Sequence, residues 1–244
     1  MQELRLTFIG SGNAFSPGGL CCNGFLANER FLFEAPPQAL SSLNQLNVDP
    51  NSLDAIVISH HHGDHFLGLP FLLLHWKWMN RTRPVRIIGP RKTECLGREI
   101  AEKVFPGVLR DIGYDIEWIE AEPGKPVRLP GLELESVNVE HDDELAATLG
   151  YAAVVDGRRL AYTGDTRLCD SVFELAKRPE VMVSECASRS LNIPIHMNLL
   201  EDIPQVRAAL PSDAQLILTH LTPDVDDNGL PLTRVARDFE TYRF

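Results

Sequence analysis

Ser59-His60-His61-His62-Gly63-Asp64-His65 is the stretch that decides the fold. It follows directly on Ala55-Ile56-Val57-Ile58, an apolar, β-branched run that predicts a strand over Ala55–Ser59. Imidazole is a borderline donor and carboxylate a hard one. Four such groups in six residues, His60, His62, Asp64 and His65, therefore suit Zn²⁺, with Mn²⁺ or Fe as alternatives. A lone histidine would read more simply as a surface residue or as a core ring satisfied by hydrogen bonds. A cluster set between a buried strand and an apolar, helix-like segment reads as metal binding.

Outward from this stretch, similar residues recur at predicted strand ends. His141 closes the strand Leu132–Val139, and Asp165 lies in Tyr162-Thr163-Gly164-Asp165-Thr166 after the strand Arg159–Thr163. His220 closes Gln215–Thr219. Singly, Asp165 would serve as a turn cap and His220 as a structural ring; together they complete a donor set. Further strands are predicted at Leu4–Ile9, Asn23–Ala27, Arg30–Glu34, Val85–Gly89, Ile116–Ile119, Thr148–Val155 and Val181–Ser184. Asn28-Glu29 and Asp156-Gly157 mark hairpin turns. Helices are predicted over Pro37–Asn47, Arg91–Val104, Ser171–Lys177 and Asn198–Ala209. Strand clusters interleaved with helices give an α/β (α+β) class, with sheets covered by helices.

The 244 residues suffice for one domain, 1–244, and hold no repeat or Ser/Gly linker. Lys and Arg number 23 against 34 Asp and Glu, a net charge of −11, which argues against grip on a long phosphate backbone. The start, from Met1-Gln2 onward, alternates like a strand and has no signal-peptide core. The longest apolar run, Phe66–Leu74, is interrupted by Gly68 and Pro70, so no membrane span is expected. Cys21, Cys22, Cys95, Cys169 and Cys186 contain no Cys-x-x-Cys pair, and an odd set fits a reducing cytoplasm better than a disulfide scaffold.

His60-x-His62-x-Asp64-His65, then His141, Gly164-Asp165-Thr166 and His220, resembles the metallo-β-lactamase superfamily over nearly the whole chain. The resemblance implies a four-layer αββα sandwich with two divalent metal ions at its edge. By it, His60, His62 and His141 bind the first ion and Asp64, His65 and His220 the second, with Asp165 bridging. His61 stands at a variable position of the pattern and is read as a non-ligand; His75 is read as structural.

Finer features resemble the ribonuclease Z and small phosphodiesterase branch. They are Gly10-Ser11-Gly12-Asn13-Ala14, His65-Phe66-Leu67-Gly68-Leu69-Pro70, and Thr148-Leu149-Gly150-Tyr151. The glycines of the first could equally supply a plain tight turn. This branch places a catalytic, non-ligand histidine near the position of His196, which precedes His220 by 24 residues, with an acidic partner matching Glu185. Asp64 joins His196 and Glu185 among the residues the resemblance assigns to catalysis.

Bacterial ribonuclease Z carries a long tRNA-gripping arm between the positions of His141 and Asp165, which are only 24 positions apart here. The short form is more similar to phosphodiesterases of small substrates. One of these, the phosphoribosyl cyclic phosphodiesterase of phosphonate breakdown, has a Cys-rich zinc site that Cys21-Cys22 does not reproduce. The expected activity is thus a binuclear phosphodiesterase of a small nucleotide-like or cyclic phosphodiester. Lactonase or thioesterase chemistry with the same metal pair is the alternative, and a non-enzymatic binding module is the third reading. Many relatives form homodimers, which the resemblance allows here too.

Overall fold

The computed structural model describes residues 3–244; Met1 and Gln2, expected at the head of the first strand, lie outside them. The first sheet contains β1 (Arg5–Gly10), β2 (Gly24–Ala27), β3 (Phe31–Phe33), β4 (Ala55–Val57), β5 (Val85–Gly89) and β6 (Ile116–Glu120), in that spatial order. The second runs through β7 (Val127–Leu129), β8 (Leu132–Asn138), β9 (Leu149–Val155), β10 (Arg158–Tyr162), β11 (Val181–Glu185), β12 (Gln215–Thr219) and β13 (Thr233–Val235). The last strand, β14 (Thr241–Arg243), returns to flank β1.

Both predicted hairpin turns form. Asn28 and Glu29 take φ of 50° and 59°, and Asp156 and Gly157 take 47° and 88°. Two successive left-handed residues give the turn whose twist matches an antiparallel pair.

The inner faces of the two sheets share one apolar layer. Phe25 stacks on Phe33 at 4.7 Å, and the Tyr162 ring from the other sheet meets both edge-on. Outside the first sheet, α1 (Ala39–Gln45), α2 (Gly63–Phe66), α3 (Leu69–Trp78) and α4 (Thr93–Val104) follow in chain order. A second apolar cluster joins that sheet's outer residues Ile56 and Ile87 to Leu43, Leu72, Trp76 and Ala101 of α1, α3 and α4. Outside the second sheet, α5 (Asp170–Ala176) and α6 (Ile203–Ala209) cover Met182, Leu216 and Leu218. The result is the expected αββα sandwich.

Two sequence readings need correction. The helix expected over Asn198–Ala209 begins only at Ile203. Asp202 accepts from the Asn198 N–H, and Asn198 accepts from the Glu201 N–H, so these short polar side chains hold a turn in place of the first helical bonds. Gly10 and Gly12 do not supply left-handed turn residues. They allow close approach instead, since a Cβ on Gly10 would lie 2.1 Å from the Cys22 carbonyl oxygen.

Neighbours β3 to β6 are parallel, as are β10 to β13, while β8 and β10 each run antiparallel to β9. Strands β8, β10, β11 and β12 therefore all end at the same edge of their sheet. Ligands of open α/β sheets bind outside such carboxyl ends.

Candidate metal centre

The predicted metal ligands sit just beyond strand ends or on the short helix that follows β4, Glu185 closes β11, and His196 lies in the long loop after it. His60 follows β4, and β9 fixes the loop that carries it. The Leu149 N–H donates to the Ser59 carbonyl at 3.0 Å, and the Tyr151 hydroxyl donates to that of Ile58 at 2.7 Å. Asp64 and His65 lie on α2, His141 follows β8, Asp165 follows β10, and His220 follows β12. Before Asp165, Gly164 takes φ 60°, and a Cβ there would meet the Leu149 oxygen at 2.7 Å and Ser59 Cβ at 2.9 Å. Only glycine lets this loop press against the one bearing His60. His220 itself takes φ 60°, an uncommon conformation of the kind that gathers at functional sites.

These residues form two groupings, His60 with His62 and His141, and Asp64 with His65, Asp165 and His220. Within each, the ligand atoms lie within 4.8 Å of one another. His141 Nε2 is 3.1 Å from His62 Nδ1. Two nitrogens on one tetrahedral zinc would be about 3.3 Å apart, so these rings stand ready for a shared ion. Asp165 Oδ2 is 3.1 Å from His220 Nε2 and 3.3 Å from His65 Nε2. The same oxygen is 3.8 Å from His60 Nε2 and 4.0 Å from His141 Nε2. It faces both groupings, which is where a bridging ligand belongs.

The donors fit cations on two further grounds. His60 Nε2, His65 Nε2 and Asp165 Oδ1 are buried without a hydrogen-bond partner. Unpaired buried polar atoms are rare and costly, and a positive ion satisfies several lone pairs at once. The field agrees. Burial would lower the pKa of His65, yet Asp165, Glu34 and Asp64 raise it well above the usual histidine range. Burial would raise that of Asp165, but His220, His65 and His60 hold it well below the usual carboxylate range. Charge that draws a proton onto His65 also favours a cation at this position. His60 goes the other way: burial and the neighbouring His65 push its pKa well down, leaving a neutral donor.

Sequence reasoning missed Glu34, which is fully buried directly after β3. Its carboxyl group accepts the Ser59 N–H at 3.2 Å and the Tyr162 hydroxyl at 2.9 Å, and lies 3.6 Å from His65 Nδ1. Tyr162 in turn accepts from Asn23, whose side-chain oxygen accepts from Thr219, the residue before His220. A polar chain thus crosses between the sheets beneath the second grouping. The signal was present as an acid ending the apolar run Phe31-Leu32-Phe33. Glu34→Ala strands the Ser59 N–H and the Tyr162 hydroxyl, and is expected to destabilise the protein by on the order of 3 kcal/mol, read from its denaturant midpoint.

His196 and Glu185 also meet at the site. His196 Nδ1 is 2.9 Å from Glu185 Oε1, and Glu185 is fixed by the backbone N–H groups of Thr166, Ala187 and Met197. Burial would lower the pKa of His196, but the hydrogen bond and charge of Glu185 outweigh it and raise the value to about 9. Ligand-capable atoms of His196 come within 4.8 Å of those of His141 and Asp165, and of His220. His61 stands apart, paired with Thr93 at 2.8 Å and packed on Phe66. His75, half-buried on α3, joins neither grouping. The five cysteines are free, and no helix among the described residues is long and apolar enough to cross a membrane.

A family described as anti-Pycsar protein Apyc1 matches residues 4–229. Ribonuclease Z of Methanosarcina acetivorans is 23% identical over 289 aligned positions, covering 96% of this chain and 92% of that protein. The metallo-β-lactamase fold protein YhfI of Bacillus subtilis superposes with a TM-score of 0.79 at 18% identity, covering 100% of both chains. A diphosphatase of the PhnP family superposes at 0.76 with 19% identity, covering 99% of this chain and 98% of its own.

Proposed function

From the premise that the chain belongs to the family of the anti-Pycsar protein Apyc1, we propose that it is a binuclear metal-dependent phosphodiesterase acting on a small nucleotide-like or cyclic phosphodiester. Its fold is that of the metallo-β-lactamase superfamily, with ribonuclease Z-like relatives. The names of two relatives, a ribonuclease and a diphosphatase, both denote cleavage at phosphorus.

In this reading His60, His62 and His141 would hold one ion and Asp64, His65 and His220 the other, with Asp165 placed to serve both. Zinc suits this donor set best, with Mn or Fe as alternatives. When bound, the two ions supply positive charge to the phosphoryl oxygens and acidify the attacking water.

The observation that carries the proposal is the His196–Glu185 pair. Glu185 takes the Nδ1–H of His196 and, through its charge, favours the protonated ring. The Nε2–H is then available beside both groupings to pass a proton to the leaving oxygen of a phosphodiester. Glu185 positions and charges this ring without touching substrate. A group dedicated to leaving-group protonation is what an alkoxide leaving from phosphorus requires.

The 23 residues between His141 and Asp165 are taken up by a short loop, β9 and β10, with no arm for a folded RNA. Together with the net charge of −11, this favours a small substrate over a long nucleic acid. The test is a panel of cyclic nucleotides, linear phosphodiesters, a lactone and a thioester, offered to the metal-loaded protein. Phosphodiester turnover is expected; acyl cleavage without it would replace this reading with a lactonase or thioesterase.

A further inference from the structure

The ring nitrogens on the far side of the first grouping's histidines are treated differently from one another. His60 Nδ1 meets the Ser59 hydroxyl at 2.9 Å, and His141 Nδ1 meets the Ile195 carbonyl at 3.0 Å. Both partners are neutral. His62 Nε2 instead lies 3.1 Å from the carboxylate oxygen Oδ2 of Asp142.

That carboxylate is itself held. Its other oxygen accepts the Glu144 N–H at 2.9 Å, within its own loop. The loop is tied at both ends. Arg167 donates its N–H to the Glu140 carbonyl and its side chain to the Glu140 carboxylate at one end, and the Arg91 side chain donates to the Ala146 carbonyl at the other. An aspartate serving only its loop would need the Glu144 bond alone. Here the second oxygen reaches a residue 80 positions earlier in the chain.

We propose that Asp142 is a positioning residue for the first cation: it takes the Nε2–H of His62, fixes that tautomer, and leaves Nδ1 free to face His141. The role rests on the metal-binding reading above. A carboxylate behind a histidine ligand locks the ring's orientation and raises its basicity, and loss of such a partner typically weakens metal binding about 10–100-fold. His62 is therefore the one ring of its grouping backed by a carboxylate, since the other two rings lean on neutral oxygens.

The experiment measures Zn²⁺ affinity and stoichiometry by chelator competition on the wild-type protein and on Asp142→Ala, Asp142→Asn and Asp143→Asn. Asp143 is the neighbouring acid, and its removal changes the charge of the loop without touching the His62 contact. We expect Asp142→Ala to weaken one of two sites about 10–100-fold and leave the other unchanged. Asp142→Asn, which still offers an oxygen, should recover part of the loss, and Asp143→Asn should bind as wild type does. Wild-type affinity at both sites in Asp142→Ala would overturn the role, as would an equal loss in Asp143→Asn. A wild-type protein that binds no divalent ion would instead overturn the metal reading itself.

Discussion

Asp165→Asn is expected to release at least one of two bound ions and to cut metal-dependent turnover by more than about 10³-fold. The substitution is nearly isosteric, so the loop after β10 keeps its shape. What changes is charge. Asp165 Oδ2 stands within 4.0 Å of ring nitrogens of His60, His65, His141 and His220, so one carboxylate serves both groupings. An amide oxygen carries no full negative charge, and an amide nitrogen turned inward would oppose a cation directly. Metal charge at a phosphoryl centre is worth several kcal/mol, and each 1.36 kcal/mol is tenfold in rate. Metal content by elemental analysis and steady-state rates check both halves. Two retained ions and wild-type turnover in this variant would remove Asp165 from the bridging position.

His196→Ala should show a different signature, with both ions retained and turnover lowered about 10²–10⁴-fold on a substrate with an alkoxide leaving group. The size depends on that leaving group. A poorly stabilised alkoxide needs the proton that His196 carries, whereas p-nitrophenolate leaves readily without one. The loss should therefore be large on a nucleotide-like diester and small on bis(p-nitrophenyl) phosphate. A residue that merely packs the loop would lower both rates alike. Glu185→Gln should follow His196→Ala in direction with a smaller effect, because the ring remains in place but loses the charge that holds its proton. Equal rates for wild type and His196→Ala on the alkoxide substrate would make His196 a bystander and favour acyl chemistry.

Much of the architecture was legible because it rests on local signals. Asn28-Glu29 and Asp156-Gly157 announced their hairpins, and strand runs such as Val85–Gly89 matched to the residue. The strands β7, β13 and β14 were not foreseen. Each is three residues long at the edge of a sheet and is defined by its neighbour rather than by its own periodicity. The seven metal candidates were visible as donor-type residues at strand ends, and the fold brings them into two adjacent groupings.

The residues behind them were harder to see. Glu34 and Asp142 act on rings far away in the chain, His65 and His62, and nothing in their local sequence names the ring they meet. The turn at Asn198–Asp202 was missed for the opposite reason: its pattern suits a helix, but two side-chain bonds to backbone N–H groups compete with it.

The central claim is that two divalent ions together make this site a phosphodiesterase. The most direct measurement strips the protein of metal and adds back Zn²⁺ or Mn²⁺ in fractions of an equivalent, following hydrolysis of bis(p-nitrophenyl) phosphate at each step. The account predicts negligible turnover without metal and a rise that reaches its plateau at two equivalents. Turnover indifferent to added metal, or none on the phosphodiester when two ions are bound, would contradict it.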